Sequence, residues 1–206
     1  MRGTPVIWVH AVSVGEVRSS AELVNALADK YPRHRILVTT MTPTGSEQVQ
    51  ELFGGRVFHA YVPYDLPGSV RRFMGRVAPE FAVIAEPEFW PNLFKACQDR
   101  KVPLFLVNVR LSSQSLRGYL RVPRTAKEML DRATVICAQT RSDAQRLKSL
   151  GVSQLRVEVT GNLKFDSPLP AELLGEAEEL RKQWGANRPV WIAASTHRGE
   201  ERKILA

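Results

Sequence analysis

Only two cysteines, Cys97 and Cys137, occur in 206 residues, and their separation matches no zinc-ligand spacing. A disulfide scaffold and a structural zinc module are therefore not expected, and the pair reads as reduced core thiols of a cytoplasmic protein. No run approaches the ~20 apolar residues of a membrane-spanning helix, and Met1-Arg-Gly-Thr leads into an apolar stretch without the features of a signal peptide. Phosphate-binding G-x-G-x-x-G and Walker loops are missing, as is a G-x-S-x-G nucleophile elbow. Repeats and low-complexity tracts are absent too. Long runs of one charge are also lacking. The formal charge is +8, but the basic residues are scattered, which disfavours nucleic acid and leaves a phosphorylated lipid or an anionic membrane surface as the expected partner.

What the chain does have is alternation. Short apolar runs rich in β-branched residues fall at 5–9, 35–40, 56–61, 81–85, 103–107, 134–138 and 156–159, with amphipathic stretches between them. This predicts an α/β fold, a Rossmann-like, mainly parallel sheet covered on both faces. Pro43, Pro67 and Pro91 suit the first turns of helices, where a missing N–H costs nothing. The pattern changes at Gly161-Asn-Leu-Lys-Phe-Asp-Ser-Pro-Leu-Pro170, which is turn-rich. The expected organisation is a domain over 1–160, a linker over 161–170, and the incomplete start of a second domain over 171–206. In that last part a helix is predicted from Ala171 to Trp184 and a strand over Pro189-Val-Trp-Ile-Ala-Ala194.

Several chemistry-bearing residues fall directly after predicted strands, where open α/β sheets bind ligands. Ser13, Gly15 and Glu16 occupy the turn of His10-Ala-Val-Ser-Val-Gly-Glu16, and Val17, Ala21, Val24, Ala28 and Tyr31 then recur at helical spacing. Glu16 is a candidate general base, or else a carboxylate partnering the helix dipole. After the fourth strand, Glu86 is the candidate for the cleft, with Glu88 capping the helix that follows and Pro87 turning the chain between them. Asn108, Arg110 and Ser112 follow the fifth strand, and the planar fork of Arg110 suits phosphate or carboxylate. Thr44, with Thr42, marks either an anion site at a helix N-terminus or a helix cap. Lys164 either brings a cation to a cleft or is a solvated linker lysine.

In order along nearly the whole chain, His10–Glu16, Val38-Thr-Thr-Met-Thr-Pro-Thr-Gly45, Tyr64-Asp-Leu-Pro67, Glu86-Pro-Glu-Phe-Trp-Pro-Asn92, Arg110-Leu-Ser112, Gly161-Asn-Leu-Lys-Phe-Asp166 and Ala194-Ser-Thr-His-Arg-Gly-Glu-Glu201 resemble the 3-deoxy-D-manno-octulosonic acid (Kdo) transferases of Gram-negative lipopolysaccharide synthesis. Departures are small: Pro87 and Phe89 replace a commoner Thr and Leu, and Val109 stands where Ala is frequent. Members of that family usually carry a hydrophobic N-terminal anchor and a complete C-terminal nucleotide-binding domain, and neither is expected in these residues.

The resemblance implies a metal-independent, inverting glycosyltransferase of GT-B architecture, with CMP-Kdo as donor, a lipid A precursor as acceptor and no cofactor. It matches Glu16 to the family's base, and Glu86 and Lys164 to positions that stabilise the transition state. Ser13, Gly15, Thr44, Asn108, Arg110 and Ser112 become expected substrate-binding residues. Arg71, Arg72, Arg76, Arg117, Arg121 and Arg124 either meet phosphates and anionic headgroups or form solvated faces. The implied location is the cytoplasmic face of the bacterial inner membrane, with a chain that is soluble or peripheral and binds acceptor but transfers little or no sugar by itself. Two other classes stay open: a non-catalytic acceptor- or membrane-binding module, and another GT-B enzyme using a UDP-sugar.

Overall fold

The computed structural model describes residues 3–86, 90–166, 171–185 and 187–205. Seven strands form one fully parallel sheet: β1 (Val6–His10), β2 (Arg35–Thr40), β3 (Phe58–Tyr61), β4 (Phe81–Ala85), β5 (Leu104–Val109), β6 (Val135–Ala138) and β7 (Val157–Val159). Their order is β3-β2-β1-β4-β5-β6-β7. Every predicted strand over residues 5–159 is present, displaced at its ends by two residues or fewer. The chain winds outward from β1 in one direction through β2 and β3, then returns to the other side of β1 for β4. The point of reversal lies between β1 and β4, and it opens a crevice at the carboxyl ends of those two strands.

Strand β1 is central because both of its faces are buried. All five residues of β1 are shielded. Val6 and Trp8 pack into one core with Leu93, Phe94, Leu104 and Met129, whereas Ile7 and Val9 pack into another with Val17, Val24, Ile36 and Val49. Each such large side chain removed from water contributes roughly 1.5–3 kcal/mol. The edge strands β3 and β7 have only four and three residues, which limits the unpaired backbone they present to other chains.

The helices linking these strands are α1 (Val14–Ser19), α2 (Ala21–Lys30), α3 (Pro43–Phe53), α4 (Pro67–Val77), α5 (Pro91–Asp99), α6 (Ser113–Tyr119), α7 (Pro123–Leu130) and α8 (Arg141–Ser149). The apolar spacing from Val17 to Tyr31 predicts one helix, but the chain breaks it at Ser20, between α1 and α2. Ser19 Oγ donates to the Glu16 carbonyl, 3.1 Å away, and such back-bonding by serine competes with the helical ladder. Pro43, Pro67 and Pro91 each occupy a first helical turn, as expected. The cap of α5 comes from Asp65, whose carboxylate accepts the N–H groups of Asn92 and Leu93 at 3.0 and 2.8 Å. Glu88, expected to cap this helix, lies outside the described residues with Pro87 and Phe89.

The chain divides into two compact units, Met1–Ser167 and Pro168–Ala206. The first therefore takes in the turn-rich stretch beyond residue 160 through Asp166, including a 3-10 turn at Leu163–Phe165. The second unit contains α9 (Ala171–Trp184) and α10 (Glu200–Ile204). The strand expected over Pro189–Ala194 is not formed; the segment has no regular structure, and Trp191 and Ile192 are 65% and 66% exposed. A strand needs a neighbour for its backbone N–H and C=O groups, and among the described residues of this unit there is none. No described helix is long and apolar enough to cross a membrane.

Candidate functional site

The turn after β1 is built by local contacts. Ser13 takes the cap position of α1, with its carbonyl accepting the Val17 N–H at 2.9 Å. Glu16 lies three residues on, and its carboxylate folds back over the helix start. Oε2 accepts the Val12 N–H at 2.7 Å, and Oε1 accepts the Ser13 hydroxyl at 3.1 Å. This is a variant of the capping box, in which the carboxylate serves groups just ahead of its own helix. Of the two alternatives read from the sequence, these contacts show Glu16 partnering the start of its own helix; a carboxylate oxygen can accept from more than one donor at a time. Glu16 is half-buried and Gly15 exposed.

Behind this turn sits a buried polar network that the sequence reading leaves without a role. Trp8 Nε1 donates to Thr39 Oγ1 at 2.8 Å, and His10 Nδ1 lies 2.9 Å from the same oxygen and 3.1 Å from the Thr39 carbonyl. The carbonyl can only accept, which favours the tautomer protonated at Nδ1. Burial pushes the His10 imidazole down to about 4, with the hydrogen bond to Thr39 opposing the shift. It is therefore neutral at pH 7. Its ring meets Trp90 edge-on, centroids 5.8 Å apart, so β1 is packed against the residue that precedes α5. Among the described residues, His10 Nε2 and Trp90 Nε1 are both buried without a hydrogen-bond partner.

On the other side of the crevice, Glu86 directly follows β4, half-buried with φ of 45°. Its carboxylate Oε1 accepts from Asn108 Nδ2 at 2.8 Å. Asn108 lies inside β5, one residue past the part paired with β4 and within the break in its register with β6 between Leu106 and Val109. It is 1% exposed, and its Oδ1 accepts the Leu163 N–H at 3.1 Å. That bond draws the turn carrying Lys164 to the carboxyl edge of the sheet, and the same turn contacts α1. Lys164 is exposed, its N–H donated to Asn162 Oδ1 at 3.0 Å. Glu16, Glu86 and Lys164 thus arise from segments gathered at one edge of the sheet.

The remaining expected residues are more dispersed. Thr44 is exposed at the start of α3, while Thr42 caps that helix by accepting the Gly45 N–H at 3.0 Å. A Cβ at Gly45 would lie 2.9 Å from Thr42 Oγ1 and 3.2 Å from Thr40 Cβ, so glycine is what lets α3 start this close to β2. Ser112 caps α6 through the Ser115 N–H at 3.0 Å. Arg110 and Ser112 are exposed on either side of buried Leu111. Leu111 is held by α8, its N–H donating to Asp143 Oδ1 at 3.0 Å and its carbonyl accepting from Arg146 at 3.1 Å. The Thr140-x-x-Asp143 spacing is a sequence signal for a helix start, but nothing in it names Leu111 as a partner.

The six arginines expected to meet phosphates or solvent are all exposed. Residues 110–124 hold Arg110, Arg117, Arg121 and Arg124 with no acidic residue. A groove of about 730 Å³ between α4 and α5, lined by Arg71, Asn92, Lys95 and Arg100 among others, does not include Glu16 or Glu86. Burial pushes the Cys97 thiol up to about 12, and burial followed by the nearby Glu158 raises that of Cys137. No cluster of three or more His, Cys, Asp or Glu suited to a metal ion occurs among the described residues.

Residues 1–167 match the family model described as 3-deoxy-D-manno-octulosonic-acid transferase (kdotransferase). The chain is 42% identical over 199 residues to the 3-deoxy-D-manno-octulosonic acid transferase of Haemophilus influenzae, covering 97% of this chain and 47% of that protein. It is 39% identical over 205 residues to the protein of the same name from Bordetella pertussis, covering 97% and 46%. The chain thus spans about half the length of these curated relatives. Among solved structures, UDP-GlcNAc 2-epimerase from Neisseria meningitidis superposes with a TM-score of 0.59 at 15% identity, over 85% of this chain and 50% of that one. Anabaena HepE, solved with UDP-glucose, gives 0.60 at 15% identity over 89% and 50%. At such identities these likenesses speak for the fold.

Proposed function

The chain belongs to the 3-deoxy-D-manno-octulosonic acid transferase family, and from that membership we propose that it supplies the acceptor-side half of an inverting, metal-independent glycosyltransferase of lipopolysaccharide biosynthesis. The donor is CMP-Kdo, the acceptor a lipid A precursor, and the protein works at an anionic membrane surface. The observation that carries this reading is the placement of Glu16 and Glu86 after β1 and β4, on the two sides of the crevice where the strand order reverses.

The chemistry follows from that placement. An acceptor hydroxyl oxygen bonds to the anomeric carbon of Kdo as its proton passes to a Glu16 carboxylate oxygen, and the bond from that carbon to the CMP phosphate breaks on the opposite face. A base held in reach of the hydroxyl is worth about 10²–10⁴ in rate. The Val12 N–H and Ser13 hydroxyl hold the Glu16 carboxylate in one orientation. Glu86 places negative charge across the crevice, where positive charge develops on the sugar ring in an oxocarbenium-like transition state. Lys164 offsets charge on the donor carboxylate or leaving phosphate. Gly15 leaves the approach to Glu16 open, Ser13 offers a hydroxyl beside it and Thr44 one at the start of α3, and Arg110 and Ser112 meet acceptor phosphates.

Transfer requires both substrates in one closed cleft, so these residues alone bind lipid A precursor without transferring sugar. The test is a donor and acceptor screen with the full-length protein carrying this chain. Transfer from CMP-Kdo to lipid A precursor in the presence of a chelator is the expected result. Transfer only from a UDP-sugar, or only with an added divalent cation, would overturn the reading.

A further inference from the structure

Strands β4 and β5 run side by side with Ala85 opposite Val107, so Glu86, directly after β4, and Asn108, within β5, are the residues that follow that pair. Both have positive φ, 45° and 56°, a region that asparagine tolerates and that strains most other side chains. Two such residues on neighbouring strand ends persist only where the surroundings fix them. Four hydrogen bonds do so. The Glu86 N–H donates to the Val107 carbonyl at 3.0 Å, Gln139 Nε2 to the Asn108 carbonyl at 3.0 Å, Asn108 Nδ2 to Glu86 Oε1 at 2.8 Å, and the Leu163 N–H to Asn108 Oδ1 at 3.1 Å.

The carboxamide of Asn108 therefore donates to a carboxylate at one end and accepts a backbone N–H at the other. A carboxylate in its place would set like charge against Glu86, and an aliphatic side chain would take away the group that each half-buried partner bonds. At 1% exposed, the side chain has no face to offer a solute. Its two partners are the carboxylate on one side of the crevice and the residue immediately before Lys164. We propose that Asn108 is a positioning residue, which fixes Glu86 and the Lys164 turn relative to each other and acts on the reaction through them instead of touching substrate. This inference rests on the transition-state roles proposed for Glu86 and Lys164.

The experiment is a double-mutant cycle in the full-length transferase: Asn108→Asp, Glu86→Gln, and the pair, with kcat, KM for CMP-Kdo and lipid A precursor, and thermal melting measured for each. Asn108→Asp keeps the acceptor for Leu163 but turns the donor facing Glu86 into an anion. Its kcat should fall about tenfold or more while both KM values stay within about threefold. In the pair, the new glutamine amide donates to the new aspartate, so the contact returns with reversed polarity and the pair melts above Asn108→Asp. A group that acts through the Glu86 charge has nothing left to act on once that charge is gone. The pair and Glu86→Gln should accordingly share one kcat within about threefold.

A rise of about tenfold in KM at unchanged kcat for Asn108→Asp would make Asn108 a substrate-binding residue and overturn the proposal. So would a pair that melts no higher than Asn108→Asp, or that turns over about tenfold more slowly than Glu86→Gln. Wild-type turnover by Glu86→Gln is a different failure: it would contradict the role of Glu86 itself, and this inference with it.

Discussion

The two turns that flank the crevice hold their carboxylates by opposite means. Glu16 is fixed by neighbours three and four residues away, Ser13 and Val12, inside a short helix that carries its own cap. Glu86 is fixed by Asn108, 22 residues on, from a strained backbone that the sheet must hold in place. A group secured locally keeps its place as long as its own helix forms. A group secured from a distance depends on β5 and on the segment after β7 being in register, so it reports on the assembly of the whole edge. In the proposed reaction the locally held carboxylate moves the proton and the remotely held one supplies charge.

Separating these roles should give the largest effect at Glu16. Glu16→Gln in the full-length enzyme keeps shape and removes the base; kcat should fall by about 10²–10⁴ with acceptor affinity nearly unchanged, measured by sugar transfer alongside acceptor binding. Near-normal turnover would show that another group takes the proton.

Next in size is the packing between the two turns, where His10 meets Trp90. Because burial lowers His10 to about 4, the unfolded chain takes up a proton on this group at higher pH than the folded one. Stability from this residue is thus fully present above about pH 6.5 and is lost as pH falls from there toward about 4, at up to about 1.4 kcal/mol per pH unit. Chemical denaturation of wild-type and His10→Gln protein between pH 7 and 4.5 should show a steeper loss in the wild type. Parallel curves would mean that the imidazole is not held neutral.

Glu86→Gln should cost about 10² in kcat, because Asn108 Nδ2 retains an oxygen to bond and only the charge is removed. A loss matching that of Glu16→Gln would break the division of labour between the turns. Ser13→Ala is the mildest change. It removes the hydroxyl that donates to Glu16 while leaving the Val12 N–H in place, and kcat should fall by less than about tenfold with a stability loss of about 1 kcal/mol. A larger effect on transfer would place the hydroxyl against substrate.

What can be read from the sequence follows the same division between local and distant contacts. The strands are visible because each is an apolar run bounded by turn residues, and burial on both faces follows from a parallel sheet. The Ser13-x-x-Glu16 spacing is a helix-start signal, so the environment of Glu16 is half-legible. Asn108 is legible only as a polar residue at a strand end, since its partners come from Glu86, Gln139 and Leu163, up to 55 residues away. Asp65 on α5 and Asp143 on Leu111 are hidden for the same reason, spanning 28 and 32 residues. The helix break at Ser20 escapes because apolar spacing continues across it, while serine back-bonding does not disturb that spacing. Pro189–Ala194 has the composition of a strand, but composition cannot provide the neighbour on which a strand depends.

The most direct measurement is a crystal structure of the full-length protein with a lipid A precursor bound. The attacking hydroxyl oxygen should lie about 2.6–3.2 Å from a Glu16 carboxylate oxygen, in the crevice between β1 and β4, with Glu86 on the opposite wall. An acceptor seated at the amino ends of the strands, or one whose hydroxyl lies more than about 5 Å from both Glu16 oxygens, well outside that reach, would contradict the assignment of Glu16 as the base.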